Sequence, residues 1–345
     1  MARILFVGNF SQKIPGGLYY NVDQKLRNGL IRCGHCVLDF SDRDQARLSN
    51  IFANRKFGVR GANEKLLQTA QNFCPDWMIL GHANIIRNDT LMEIRRQFPA
   101  MRITLFNVDS LALDSHIDNV TAIHNRKSAV DTVLITTGGE LLRQFKTDKN
   151  WVGYFPNPVD AGMEAHRNFS HDSLPADMVY CVGGIRDGDS RLDMARFLTN
   201  ELPDARLEFY GMMGQSNRWG AHYHAVLARA RMGLNYSRPN NVHLYASDRM
   251  AHIMGNGLMA LTAHATGFQK FFTESEMVYY GDDRDLADKI RYYKNNDSAA
   301  RSIAESGWRK SHHEFNGTLV AQYIYERSMG LELSHPYLWA DEFIN

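Results

Sequence analysis

No stretch of the 345-residue chain approaches the ~18 consecutive apolar residues that a bilayer span requires. The apolar start, residues 1–8, runs straight into a strand pattern and leaves no room for a signal peptide. The chain is therefore expected to stay in the cytoplasm, with at most a surface contact to the inner face of a membrane. A surplus of charge is also missing. Thirty-nine Lys and Arg against 38 Asp and Glu leave a formal net charge of +1, so nothing in the whole chain calls for nucleic acid as a partner. Cysteine is scarce, with Cys33, Cys36, Cys74 and Cys181 only. Cys33-Gly34-His35-Cys36 has redox spacing, but it follows a helix pattern, and an activated thiol needs a helix N-terminus. No second such pair follows to complete a zinc site. No Gly-x-Gly-x-x-Gly follows either opening strand, which argues against a dinucleotide dehydrogenase. Asp-x-Asp occurs at Asp42/Asp44, Asp187/Asp189 and Asp283/Asp285, scattered as in any acid-rich chain. His222-Tyr223-His224 and His312-His313 lack Cys or acid partners at ligand spacing. No metal and no cofactor are expected.

What is present is alternation. The length exceeds what one hydrophobic core usually supports, and apolar runs alternate with helical periodicity from end to end. Arg3–Gly8 reads as a buried parallel strand. A loop with Pro15, Gly16 and Gly17 follows, then a helix over 18–33 stopped by Gly34, then a strand over 35–42. Further strands are predicted at 77–81, 102–108, 131–136 and 151–155, with helices between them. The two prolines of Pro156-Asn157-Pro158-Val159-Asp160 interrupt the pattern. It restarts with strands at 178–183, 205–210, 232–236, 258–262 and 277–280, with helices between them, one over 219–230, and closes on helices at 285–295, 298–315 and 318–329. The expected fold is α/β with two Rossmann-like, doubly wound domains facing a central cleft. The expected boundaries are 1–157 and 158–345, with the last helix free to pack back on the first domain. Ligands of such sheets bind outside the carboxyl ends of the strands.

Two stretches carry a family resemblance. Gly16-Gly17, Leu26, Leu30 and Gly34-His35-Cys36-Val37 resemble the opening of many GT-B glycosyltransferases: a glycine pair after the first strand, then a helix ending in Gly-His-x-Val. Ser247-Asp248-Arg249, Gly255-Asn256-Gly257, Gly267-Phe268, Val278-Tyr279-Tyr280, Asp285-Leu286 and Gly307 resemble the donor half of the CgeB-like group of these enzymes. Val159-Asp160 resembles their linker, with Pro158 in place of a glycine. The match is clearest over 247–313. The resemblance implies a glycosyltransferase that binds a nucleotide-sugar (UDP-, GDP-, dTDP- or CMP-linked) in the second domain. The first domain would take a glycan or glycolipid acceptor, in cell-surface polysaccharide (lipopolysaccharide, O-antigen, capsule) or protein glycosylation. His252 stands where the group usually has Glu, which leaves room for an uncommon donor. A nucleotide-sugar epimerase of the same fold, or a non-catalytic carbohydrate-binding protein, are the other readings.

The chemistry requires a phosphate cradle, charge for the leaving phosphate and, for inversion, a general base. Arg249 heads an apolar helix and is the first phosphate candidate. His252, Gly255 and Gly257 follow it on the same helix and turn as donor contacts. Gly183 and Arg186 lie at the end of the second domain's opening strand, with Arg191 nearby. Gly16 and Gly17 are the first-domain analogue, where bare backbone and a helix N-terminus accommodate an anion. Asp109 and His82 each follow a strand and are the candidate bases. Trp219 and Tyr223 are more readily packing residues than stacking platforms. Arg87, Arg95 and Arg96 form a basic helix face, by default an ordinary solvated one, with an anionic acceptor or lipid surface as the functional alternative.

Overall fold

The computed structural model describes residues 1–10, 15–185 and 188–344, with the side chains of 113–116 excepted. The chain forms two compact units, Met1–Pro156 with Gly317–Asn345, and Asn157–Asn316. The first contains β1 (Arg3–Gly8), α1 (Val22–Arg32), β2 (Cys36–Ser41), α2 (Asp42–Leu48), α3 (Val59–Phe73), β3 (Trp77–Leu80), α4 (Asn88–Gln97), β4 (Arg102–Asn107), α5 (Leu113–Arg126), β5 (Thr132–Ile135) and β6 (Trp151–Tyr154). The second contains β7 (Ala176–Cys181), α6 (Ser190–Glu201), β8 (Leu207–Tyr210), α7 (Ala221–Leu227), β9 (Ala230–Asn235), α8 (Arg249–Gly255), β10 (Met259–Ala263), β11 (Val278–Tyr280), α9 (Asp283–Asn295) and α10 (Asp297–Glu314). The chain then returns to the first unit as α11 (Gly317–Met329) and β12 (Phe343–Ile344).

The first sheet has the order β12-β6-β5-β4-β3-β1-β2 and the second β11-β10-β9-β7-β8. Every pairing is parallel except β12 on β6. The central strands explain this. Ile4 to Val7 of β1 and Trp77 to Leu80 of β3 are wholly buried, as continuous apolar runs covered by helices on both faces must be. A polar thread through that core is satisfied: Trp77 Nε1 donates to Thr104 Oγ1 at 2.9 Å, and Thr104 Oγ1 donates to Ser328 of α11 at 2.7 Å. In the second unit Met178, Tyr180, Met194, Leu198, Met232, Leu234, Met259, Leu261, Leu286 and Ile290 form one buried cluster between sheet and helices.

Three details depart from the sequence reading. Helix α1 starts at Val22, because the Asn21 side chain accepts from the Gln24 N–H at 3.0 Å and caps it there. The expected helix over 219–230 shrinks to α7, since Gly220 sits at φ +59° before it and Ala230 already opens β9. The second domain ends at Asn316 rather than 345. Helices α1 and α11 touch backbone to backbone, and a Cβ at Gly29 would run into the Gly317 carbonyl. Among the described residues no helix is long and apolar enough to cross a membrane.

Candidate functional sites at the two switch points

In each sheet the connections leave the first strand in opposite directions, so the strand order reverses beside it. The reversal falls between β1 and β3 in the first sheet and between β7 and β9 in the second. The carboxyl ends at such a point diverge and leave room for a ligand.

At the second switch point stands Arg249, the first residue of α8. Its Nε donates to the Cys181 carbonyl at 3.0 Å and its Nη1 to the Tyr236 carbonyl at 3.0 Å. The first of these is the last residue of β7 and the second directly follows β9, so the guanidinium bridges the two strand ends. It lies 4.9 Å over the Tyr180 ring, a cation–π arrangement that fixes its plane. Among the described residues no carboxylate pairs with it. Arg191 differs: Asp189, buried, holds it through Nε at 2.9 Å and Nη2 at 2.6 Å, and also holds Arg238 at 3.2 Å. Arg191 is thereby committed to an internal ion pair, while Arg249 is held by carbonyls and a ring. Burial pushes the Cys181 thiol up to about 12 despite the nearby guanidinium, so this thiol stays protonated beside it.

A hollow of about 330 Å³ opens at the carboxyl ends of β9, β10 and β11, and Tyr236, whose carbonyl accepts from Arg249, is part of its wall. Tyr236 and Tyr280 line it with near-parallel rings 6.5 Å apart. Asn240 Nδ2 donates to the Tyr280 hydroxyl at 2.9 Å, and the Tyr180 hydroxyl donates to the Tyr236 carbonyl at 2.7 Å. Burial raises the Tyr236 phenol to about 12 and moves Tyr280 in the same direction, so both present neutral aromatic faces. Sequence reasoning missed these two tyrosines, although each directly follows or ends a predicted strand.

At the first switch point the central group is an acid. Asp23, in the first turn of α1, is buried and accepts the Asn9 N–H at 2.9 Å. Gly8 ends β1 and Gly81 directly follows β3, and a Cβ at either would strike the Asp23 carboxylate. Desolvation raises its pKa, opposed by the Asn9 N–H and by His82. His82 and Asp109, expected separately as bases, come together: His82 Nε2 lies 3.7 Å from Asp109 Oδ2, with 20% and 41% of their side-chain surfaces exposed. Adjacent strands β3 and β4 end side by side and deliver them. The imidazole thus lies near one accessible carboxylate and within electrostatic reach of a buried one, an arrangement able to take a proton and stabilise the resulting cation.

The remaining candidates divide. Gly183 is exposed just beyond β7, and its carbonyl accepts from Asn217 Nδ2 at 2.7 Å. Gly16 has φ +68° with open space where a Cβ would be, and Gly17 is buried beside it. Arg186 lies outside the described residues. Three donor contacts expected on α8 and its turn are corrected. Gly255 is buried against Glu164 and Val159, and Gly257, at φ +74°, against Phe169 and Asn168. Their bare backbones allow close internal packing. His252 is buried with its Nδ1 2.6 Å from Glu164 Oε1 and its ring edge-on to Tyr223. It faces the interior of the unit. Cys33 caps α1, and burial pushes its thiol up to about 11. Among the described residues no group of three His, Cys, Asp or Glu side chains is placed to hold a metal.

With this geometry in hand, the chain can be set beside known proteins. Residues 191–326 match a family described as Glycosyl transferase-like. No curated protein matches in sequence. Solved structures do match in fold. Sucrose-phosphate synthase from Thermosynechococcus elongatus superposes with TM-score 0.63 at 13% identity, over 94% of this chain and 98% of that one. An alpha-glucosyltransferase solved with UDP and a 13-mer DNA gives 0.65 at 10%, over 94% and 99%. HepE of Anabaena, solved with UDP-glucose, gives 0.59 at 12%, over 96% and 100%. The fold is that of GT-B glycosyltransferases over nearly the whole chain, and the family match to a glycosyl transferase-like domain covers residues 191–326. The narrower CgeB-like likeness rests on the sequence resemblance alone.

Proposed function

We propose that the second unit binds a nucleoside-diphosphate sugar with Arg249 on its phosphates and Tyr236 and Tyr280 beside the base or sugar. His82, with Asp109, removes the proton from an acceptor hydroxyl at the first unit. The acceptor is a glycan or glycoconjugate of the kind built into cell-surface polysaccharides, met at the inner face of a membrane. The observation that carries this reading is the guanidinium fixed across the ends of β7 and β9 with no carboxylate paired to it among the described residues. A guanidinium held by two carbonyls is preorganised, and a developing phosphate charge meets it without reorganisation. Two of the fold neighbours were solved with UDP or UDP-glucose, which makes UDP-sugars the first donors to try. The donor substrate is expected to suffice without a further cofactor.

The test is calorimetric titration of UDP-, GDP-, dTDP- and CMP-sugars into the protein and into Arg249→Gln. At least one donor should bind, with affinity falling on the order of 10- to 100-fold in the variant, the worth of a charge-assisted hydrogen bond. If none of the four classes binds, the reading is wrong.

A further inference from the structure

A cavity of about 440 Å³ lies wholly within the first unit, at the carboxyl ends of β3 and β4 and between the start of α4 and the end of α5. Its volume is that of a small-molecule site. His82 stands on its wall, together with Arg87, Arg126, Asn84, Asn125 and a single carboxylate, Asp89. The two guanidiniums decide its chemistry. Arg126 reaches back from α5 and donates through Nη2 to the Ile86 carbonyl at 2.6 Å. Its Nη1 is buried and has no hydrogen-bond partner among the described residues. Burial lowers its pKa, partly offset by Asp42. A buried charged donor without a partner is costly, and Arg126 belongs to the wall of a cavity that an anion could enter. Arg87 caps α4 with its backbone N–H bound to Asn63 at 2.8 Å, while its exposed side chain is in no ion pair among the described residues. The neighbouring arginines of α4 are spent: Arg95 is bidentate with Asp131 at 3.0 and 3.1 Å, and Arg96 is paired with Glu93 at 2.7 Å. Of that basic face only Arg87 enters the cavity lining.

We infer that this cavity is an anion subsite for the acceptor, so that the sugar accepting transfer carries a phosphate or carboxylate held by Arg126 and Arg87 next to His82. The inference rests on the glycosyltransferase reading for the word acceptor, but not for the anion. One bound anion would meet both guanidiniums on the cavity wall and pin the acceptor close to the imidazole.

The probes are glucose 6-phosphate, glucuronate and neutral glucose, titrated by calorimetry into the full chain at low ionic strength. At least one anionic sugar should bind while glucose does not, and whichever anion binds more tightly names the acceptor chemistry. Arg87→Gln and Arg126→Gln should each weaken that binding about tenfold or more, and Arg96→Gln should leave it unchanged. Arg126→Gln also removes a tie to the loop after β3, so Arg87→Gln, which breaks no such tie, decides if that variant fails to fold. Anionic sugars binding no better than glucose, or equally well to Arg87→Gln, overturn the inference. If nucleotide-sugars bind and anionic sugars do not, only the subsite falls. If anionic sugars bind and no nucleotide-sugar does, the subsite stands and the transferase reading of the second unit is what fails.

Discussion

The two sheets reverse direction in the same way, yet they place opposite charges where the reversal occurs. In the first, α1 drives a carboxylate, Asp23, into the gap between β1 and β3, and two glycines leave it room. In the second, α8 lays a guanidinium, Arg249, across the gap between β7 and β9, and two backbone carbonyls hold it. One architecture therefore supplies two sites of opposite character. The acid end suits proton removal, with an imidazole and a second carboxylate beside it. The basic end suits a phosphate. The difference lies in a few residues at strand ends and helix starts, while the strands themselves are interchangeable buried runs.

The comparison can be broken at either end. The largest effect is expected at the first switch point. His82→Asn should lower kcat about 10²- to 10⁴-fold, the usual worth of a general base, while nucleotide-sugar affinity stays within twofold. A parallel loss of donor binding would mean that the two ends do not divide the work. Next comes Arg249→Lys, a sharper probe than removal of the charge. It keeps the charge but loses the fork that grips both carbonyls, and donor affinity should still fall about tenfold. Full activity in the lysine variant would show that the fixed geometry is irrelevant. Gly255→Ala should destabilise the fold by about 1–3 kcal/mol through overpacking against Glu164 and Val159, seen as a lower melting temperature with donor affinity preserved in the fraction that folds. If donor affinity drops with no change in melting, the glycine faces the ligand after all.

The smallest effect concerns the sign of a pH dependence. The Asp23 pKa is raised by burial. Its contribution to stability is thus fully present below the ordinary carboxylate range and is lost as pH rises through the raised value. Asp23→Asn still offers an oxygen to the Asn9 N–H but carries no charge. It should melt above the natural protein at pH 8, with the gap closing toward pH 4. A gap that widens on acidification would contradict the burial account.

Much of this was legible before any coordinates. Fully buried parallel strands need unbroken apolar runs, so β1, β3 and β4 could be read directly. Arg249 stood out because a cation at the start of an apolar helix is unfavourable without an anion to meet. His82 and Asp109 were each visible as polar residues after a strand. Their adjacency was not, because it arises from the pairing of Leu80 with Leu105 across β3 and β4, which is tertiary. Asp23 was hidden for another reason. An acid in the first turn of a helix is ordinary, and only the closeness of Gly8 and Gly81 makes this one buried. Gly255 and Gly257 were noticed as glycines, but whether a bare backbone approaches a ligand or a neighbouring segment depends on the fold around it. The tyrosine pair at the ends of β9 and β11 was read as strand residues, since stacking across a sheet leaves no mark on local periodicity.

The return of α11 and β12 to the first unit carries a consequence for biosynthesis. The second unit is in effect an insertion, entered after Pro156 and left at Asn316. Domains tend to fold as they emerge from the ribosome, yet the first unit to appear cannot close until the segment from Gly317 onward follows. During that interval the α1 face at Gly29 and the β6 edge at Gly153 are uncovered. The inserted unit, whose strands are contiguous, is free to finish before the lobe that precedes it.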